Sequence, residues 1–180
     1  LSSKVSSEPT WCTLTPVSQK SLHGATLTVL EDQSILASGK NPNHDTFGIE
    51  FTTDQQHFSG FKLEALLDDS LPGKGPGRFT AERPNFVLQE FTLEAGGKKI
   101  KLHSAIADFS QLNYAISKAI DGDPATAWAI APQFFKSHWA EFQTEGAITI
   151  ERAQTIKATL VMNHGGGRVI GRLRLSARTG

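Results

Sequence analysis

Short segments in which apolar and polar residues alternate recur along most of this chain. The clearest examples are residues 24–30, 47–52, 61–65 and 169–177. Successive side chains of a β-strand point to opposite sides, so each segment predicts a strand with one buried face. Glycine and proline turns separate the segments, and only residues 110–119 favour a turn or so of helix. The pattern predicts an all-β fold, an antiparallel β-sandwich of the jelly-roll type.

The length of the chain and the character of its ends favour one module. A chain of 180 residues can bury one substantial core. Residues 1–10 are polar and predict a linker, so we expect the sandwich to occupy residues 11–180. Both ends indicate a module cut from a larger protein, and we expect that module to be a monomer.

Charge and cysteine content exclude several classes of protein. Lys and Arg together number 18, as do Asp and Glu, so the net charge is zero. Nucleic-acid binding and attachment to anionic membranes both depend on excess positive charge. No stretch approaches the roughly 20 apolar residues of a membrane span. We therefore expect neither a nucleic acid nor a membrane as a partner. The single cysteine, Cys12, cannot form an internal disulfide, and we expect it in the core.

The segment 117–128 concentrates oxygen donors in one tight turn. Asp121 and Asp123 flank a glycine, a proline follows, and Thr126 adds a hydroxyl just before Trp128. Such a turn directs several oxygens to one place, which suits a hard cation such as calcium. The alternative is a solvated Asp-Gly turn ahead of a buried tryptophan, and the local residues leave both open.

Glu90 is a second candidate ligand because of its surroundings. Residues 85–94 are apolar on both faces, which predicts a central strand covered on both sides. A glutamate in such a strand is unfavourable unless it is paired or binds a cation. Glu90 is therefore expected to meet either a partner or a metal ion.

The turn also resembles a known family. Residues 118–128, Lys-Ala-Ile-Asp-Gly-Asp-x-x-Thr-x-Trp, are similar to the calcium loop of the galactose-binding-like, or discoidin (coagulation factor 5/8 type C), β-sandwich superfamily, which includes many carbohydrate-binding modules. The resemblance implies a calcium cofactor and a tryptophan packed beneath the loop. It also implies a glutamate from a late strand with the carbonyl before it. Since the matching segment precedes the loop here, the resemblance implies a circularly permuted strand order. The implied calcium ligands are Lys118 through its carbonyl, Asp121, Asp123, Thr126, Gln89 and Glu90.

A broader resemblance covers most of the chain. Residues 32–39, 60–66, 71–78, 85–91 and 171–176 resemble a module inside large secreted proteins of the planctomycete cytochrome-c-associated type. This resemblance implies a secreted or periplasmic location and contact with other domains of the parent protein. It also implies a role in an assembly that handles polymers. The haem motif Cys-x-x-Cys-His is absent from the sequence, so we expect no c-type haem.

Residues with catalytic potential do not form a recognisable set. Asp68 and Asp69 are adjacent, so on a strand they would point to opposite faces. His103, Ser104 and Asp108 have the residue types of a catalytic triad but lack a nucleophile elbow. The six histidines are scattered without the spacing of metal ligands. We therefore expect a protein that is not an enzyme.

Carbohydrate binding requires fewer features than catalysis does. An aromatic ring on which a sugar stacks and polar groups that bind its hydroxyls are sufficient. Trp139 lies in the alternating segment 138–143, on the same face as Glu141 and Gln143. Two positions for its side chain stay open, one facing solvent and one partly buried at a sheet edge.

Two arginine-bearing loops extend this candidate ligand surface. His164 and Arg168 enclose three glycines, and Arg78 ends another glycine-rich loop. A guanidinium can hold a uronate or a sulfate through two hydrogen bonds. The alternative is a turn with solvated basic ends. The sequence thus favours a non-catalytic module that binds a polysaccharide or oligosaccharide; the alternative is a structural or protein-docking module that packs against other domains of its parent protein.

Overall fold

The computed structural model describes residues 10–179, and almost all of its regular structure is β-strand. Two short 3₁₀ turns, Pro72–Lys74 and Ile116–Ile120, are the helical elements in this range. The strands are β1 Thr10–Thr13, β2 Thr15–Ser21, β3 Thr26–Val29, β4 Ile35–Ser38, β5 Asp45–Thr52, β6 His57–Ala65, β7 Val87–Leu88, β8 Glu90–Ala95, β9 Lys98–Ile100, β10 Leu102–Ala107, β11 Trp128–Ala129, β12 His138–Thr149, β13 Ile156–Met162 and β14 Arg172–Thr179.

The strands form two main sheets. The larger runs β10-β12-β6-β14-β4-β3, with β1 pairing along the end of β14. The smaller runs β2-β5-β13-β8-β9, and β7 pairs with β11 as a separate ribbon. Every pairing is antiparallel. The all-β, antiparallel prediction is confirmed, and the sheets are consistent with a β-sandwich; the jelly-roll type and the permuted order stay predictions.

Alternate residues of the strands build the core. Phe47, Ile49 and Phe51 of β5 are fully buried, as are Leu173 and Leu175 of β14. They belong to one apolar cluster that draws on both main sheets. Burial of each such side chain contributes about 1.5–3 kcal/mol to folding. The intervening residues face outward, and they supply the candidate sites.

Some predicted boundaries are wrong, each for a local reason. The edge strand β2 was not predicted because its sequence is polar and contains Pro16, which an edge strand tolerates. The alternating segment 138–143 and the segment 148–150 predict two separate strands. They belong largely to β12, which runs to Thr149 and whose register against β6 shifts between Gln143 and Ile148.

The predicted linker lies mostly outside the described residues. Thr10, its last residue, belongs to β1, so strand pairing begins one residue earlier than expected. Cys12 lies opposite Ala177 of β14 and is partly buried. Within residues 10–179, no helix is both long enough and apolar enough to cross a bilayer.

Candidate functional sites

Two tryptophans from distant parts of the chain lie near one lysine on the outer side of the larger sheet. The Nζ of Lys62, on β6, is 5.7 Å from the ring centre of Trp139 and 5.9 Å from that of Trp11. Arg178, on β14, has its Cζ 6.0 Å from the Trp11 ring. These four side chains, with the Glu141 carboxyl opposite Lys62, are called the tryptophan face below.

The strand pairing explains why these residues meet. Trp139 and Glu141 alternate along β12 with Ala140 and Phe142, which are buried in the core. Trp11 pairs with Arg178, and Lys62 is flanked by core residues of β6. Because side chains alternate in direction along a strand, burial of one set turns the other outward. Both tryptophans keep part of their surface exposed.

Trp139 agrees with neither expected position completely. It faces outward but is partly buried, and β12 lies between β10 and β6 rather than at an edge. Asp108 fixes the backbone there, since its Oδ1 accepts the Trp139 N–H at 3.0 Å. Its Oδ2 lies 2.9 Å from Nδ1 of the buried His138, whose Nε2 is 2.6 Å from the Gln133 carbonyl. This chain of contacts holds the start of β12, and with it the Trp139 ring.

The charges of the tryptophan face are not balanced by ion pairs. Within residues 10–179, no carboxylate lies within 4.0 Å of a nitrogen of Lys62 or Arg178. Arg178 donates from Nε to Ser59 Oγ at 3.0 Å. Its guanidinium lies over Gly60, whose missing side chain leaves room for it. The face therefore presents two cations whose charges no carboxylate neutralises directly.

The loop of His164 and Arg168 forms a different cluster. The Arg168 guanidinium stacks 3.6 Å above the Phe79 ring and donates from Nη1 to the Gly165 carbonyl at 2.9 Å. His164 meets Tyr114 edge-on at 6.3 Å, and burial together with the Arg168 charge lowers its pKa. No contact found in the described part of the chain joins this cluster to Trp139. Sequence reasoning missed Phe79 and Tyr114 because neither shows a local pattern.

Arg78 is not a surface residue, contrary to the expectation. It is 8 % exposed, and it donates to the carbonyls of Gly39 at 3.0 Å and Lys40 at 3.2 Å. Burial lowers its pKa, an effect that the charge of Asp45 opposes. Arg78 anchors the 39–40 loop, so its donors face the protein's own backbone and not a ligand.

The carboxylates of the 117–128 turn accept hydrogen bonds from other groups of the same turn. Asp121 accepts the Asp123 N–H at 2.9 Å and the Thr126 hydroxyl at 2.5 Å. The Asp123 carboxylate accepts the Ala125 N–H at 2.9 Å. Trp128 is fully buried next to the turn, and its Nε1 donates to the Phe109 carbonyl at 3.0 Å. The turn is thus held by its own side chains above a buried indole.

Glu90 lies against this turn. Burial raises its pKa to about 7, together with the hydrogen bond and the charge of Asp121; the Gly122 N–H and the Lys99 charge act in the opposite direction. The Glu90 Oε1 atom is buried and has no hydrogen-bond partner in the part of the chain that the structure describes. Burial also raises the pKa of Asp121, but the hydrogen bonds from Thr126, Asp123 and Glu90 outweigh it and leave that pKa lowered. Two carboxyl groups from distant segments therefore face each other.

The other two expected ligands differ in their surroundings. Lys118 lies in the 3₁₀ turn Ile116–Ile120, and its N–H donates to the Ala115 carbonyl at 2.9 Å. Gln89 is buried, and its side chain accepts the Asn163 N–H at 2.8 Å. Among residues 10–179, no group of three or more His, Cys, Asp or Glu side chains could hold a metal ion. A cation at Asp121 and Glu90 would therefore depend on hydroxyl and carbonyl oxygens as well.

Comparison with known proteins gives no relative. No protein-family model, no curated protein and no solved structure matches this chain.

Proposed function

We propose that this chain is a non-catalytic carbohydrate-binding module of a secreted multidomain protein, with the tryptophan face as its ligand surface. The observation that supports the proposal is the pair of outward-facing indoles that flank the Lys62 ammonium. The ligand class is a polysaccharide or oligosaccharide. The same proposal places the parent protein outside the cytoplasm and makes its other domains the module's neighbours.

The chemistry of the face suits a sugar chain. An indole offers a broad apolar plane to the C–H side of a pyranose ring, and the hydroxyl groups at the ring edge require donors and acceptors. Lys62 and Arg178 donate, and Glu141 accepts, all within the same surface. Since the residues lie on regular strands, their spacing is fixed before a ligand arrives, which lowers the entropic cost of binding.

A calcium ion is the second part of the proposal. The orphaned Oε1 of Glu90, buried beside Asp121, is an acceptor that a cation would satisfy. Asp121, Thr126 and Glu90 would hold the ion, with Asp123 and the carbonyls of Lys118 and Gln89 as further oxygens. The ion would supply positive charge between two carboxylates and so tie the turn to β8; it would take no part in any reaction.

Ligand binding can be tested by affinity electrophoresis and calorimetry with plant and algal polysaccharides. Trp139→Ala and Trp11→Ala are each expected to weaken binding about tenfold or more, because each removes a stacking plane. Phe135→Ala is the matched control, since Phe135 is an exposed aromatic ring on a loop outside the face. Binding that survives both tryptophan substitutions would contradict the assignment of the surface.

The same experiment separates the alternative function. A structural or protein-docking module would bind none of the glycans and would instead bind neighbouring domains of its parent protein tightly. In that case, Trp139→Ala would weaken the protein contact if this face carried it. A gain of reducing ends during incubation with a polysaccharide would contradict the non-catalytic assignment.

A further inference from the structure

Lys62 has a carboxylate directly across the strand pair but does not bind it. The Cα of Glu141 is opposite that of Lys62 in the β12–β6 register, a position from which opposite charges usually pair. The Lys62 ammonium lies instead between two indoles. Attraction to the ring faces holds a lysine there, but it leaves the full positive charge available to an incoming anion.

Arg178 adds a second available charge near Trp11. Among residues 10–179, its Nε alone has a hydrogen-bond partner, the hydroxyl of Ser59. A guanidinium has five N–H donors arranged for two-pronged binding to carboxylate or sulfate oxygens. Trp11 therefore has two cations near its ring, one from β6 and one from β14.

From this arrangement we infer that the ligand of the tryptophan face is an acidic glycan, whose carboxylate or sulfate groups pair with Lys62 and Arg178 while its sugar rings stack on Trp11 and Trp139. The inference rests on the proposed function and narrows its ligand class. Because the whole chain has zero net charge, attraction of an anionic polymer has to arise from a local set of cations and not from the protein as a whole.

Glu141 makes the direction of the change in affinity testable. Its carboxylate lies on the same face, opposes an acidic ligand, and would compete for Lys62 once that side chain moved. Neutralising Glu141 is therefore expected to strengthen binding of an acidic glycan, whereas neutralising either cation is expected to weaken it. A role of these residues in packing alone does not predict opposite signs.

Matched polymers test the charge without changing the sugar backbone. Dextran and dextran sulfate form one pair, and hydroxyethylcellulose and carboxymethylcellulose form another. We expect the charged member of at least one pair to bind about tenfold tighter at low salt, with the difference largely lost at about 0.5 M NaCl. The pair that shows the difference tells whether sulfate or carboxylate is preferred.

Four variants complete the experiment. Lys62→Met and Arg178→Met, which keep most of the side-chain length, are each expected to weaken binding of the charged polymer about threefold or more. Glu141→Gln is expected to strengthen it by a similar factor. Lys20→Met is the control, since Lys20 is an exposed lysine on β2 of the smaller sheet.

The outcomes separate this inference from the proposed function. Equal binding of charged and neutral polymers, with both lost in Trp139→Ala, would overturn the inference and leave the proposed function standing. No binding of any polymer, including the plant and algal panel, would overturn both. Binding of the charged polymers that Lys20→Met weakens as much as Lys62→Met would reveal general charge attraction and would also overturn the inference.

Discussion

Arg174 and Arg178 lie four residues apart on β14, yet their surroundings are opposite. Arg174 donates to both carboxylate oxygens of Glu64 at 3.0 Å and to Asp32 at 3.1 Å, and its hydrogen bonds to Glu64 raise its pKa. Arg178 has no carboxylate partner in the described range and lies beside Trp11. One sheet thus has a paired half, formed by Asp32, Glu64, Arg172 and Arg174, and an unpaired half, the tryptophan face.

The comparison distinguishes arginines that form ion pairs within the fold from cations whose charge remains available to a ligand. In the paired half, arginines of β14 fasten the 30–34 turn and the 67–68 segment to the sheet. In the unpaired half, removal of the Lys62 or Arg178 charge breaks no ion pair with another residue of the range 10–179. Substitutions in the paired half should therefore change stability, and substitutions in the unpaired half should change binding.

The largest effect is expected for Arg172→Met. Arg172 donates to Ser34 Oγ at 2.8 Å, the Leu67 carbonyl at 3.0 Å and Asp32 at 2.7 Å. Its loss removes all three hydrogen bonds, although Asp32 keeps the Arg174 donor, and should lower the free energy of unfolding by about 2–3 kcal/mol. Urea unfolding measures this difference. A change below about 0.5 kcal/mol would show that the paired half does not stabilise the fold, as for an ordinary surface ion pair.

Calcium should have the next largest effect, at the turn where the carboxyl groups of Glu90 and Asp121 lie together. Free calcium at about thirty times its Kd is expected to stabilise the fold by about 2 kcal/mol, because it binds only the native state. Thermal unfolding with calcium or a chelator measures this, and Glu90→Gln should abolish the difference. Asp69→Asn is the control, since Asp69 is an almost fully exposed acid outside the turn. A melting temperature unmoved by chelation would contradict the calcium site.

Without metal, the same carboxyl pair predicts a smaller, pH-dependent effect. The folded-state pKa of Glu90, about 7, is above its ordinary value of 4.5. Between these values the folded chain binds more protons than the unfolded chain, so stability falls as pH rises from about 4.5 to 7. The lowered pKa of His164 acts in the opposite direction near pH 6.5. The difference between wild type and Glu90→Gln in a chelator, at pH 5 and pH 7.5, isolates the Glu90 contribution; equal pH slopes would contradict it.

Local sequence signals predicted the strands and the need of Glu90 for a partner. The alternation in β5 and β14 is strong because one face of each strand is fully buried. Glu90 could be expected to meet a partner or a metal ion because an ionisable group among apolar neighbours requires one; that Asp121 would lie beside it was implied by the family resemblance alone. Both inferences depend on burial, which leaves a pattern in the neighbouring residues.

The tryptophan face left no such signal. Trp11 and Trp139 both lie near Lys62 because β12 pairs with β6, β6 with β14, and β14 with β1. No local pattern in the sequence specifies that strand order. The prediction that Arg78 lies on the ligand surface was wrong for a related reason. Its glycine-rich loop resembles an exposed turn, but a side chain at Gly77 would collide with the Asn85 backbone, so the loop packs closely against the protein. Glycine there serves close packing and not exposure.

Arg178→Met is expected to have the smallest effect on stability and provides the sharpest form of the comparison. Its one hydrogen bond goes to a part-buried serine, and no ion pair is lost, so the free energy of unfolding should stay within about 0.5 kcal/mol of wild type. The identical substitution at Arg174 removes three hydrogen bonds to carboxylates and should lower it by about 1–2 kcal/mol. Urea unfolding of both variants, combined with their binding of dextran sulfate, gives a two-way test. Equal destabilisation by Arg178→Met and Arg174→Met would show that the Arg178 guanidinium stabilises the sheet. It would contradict the division into a stabilising half and a binding half.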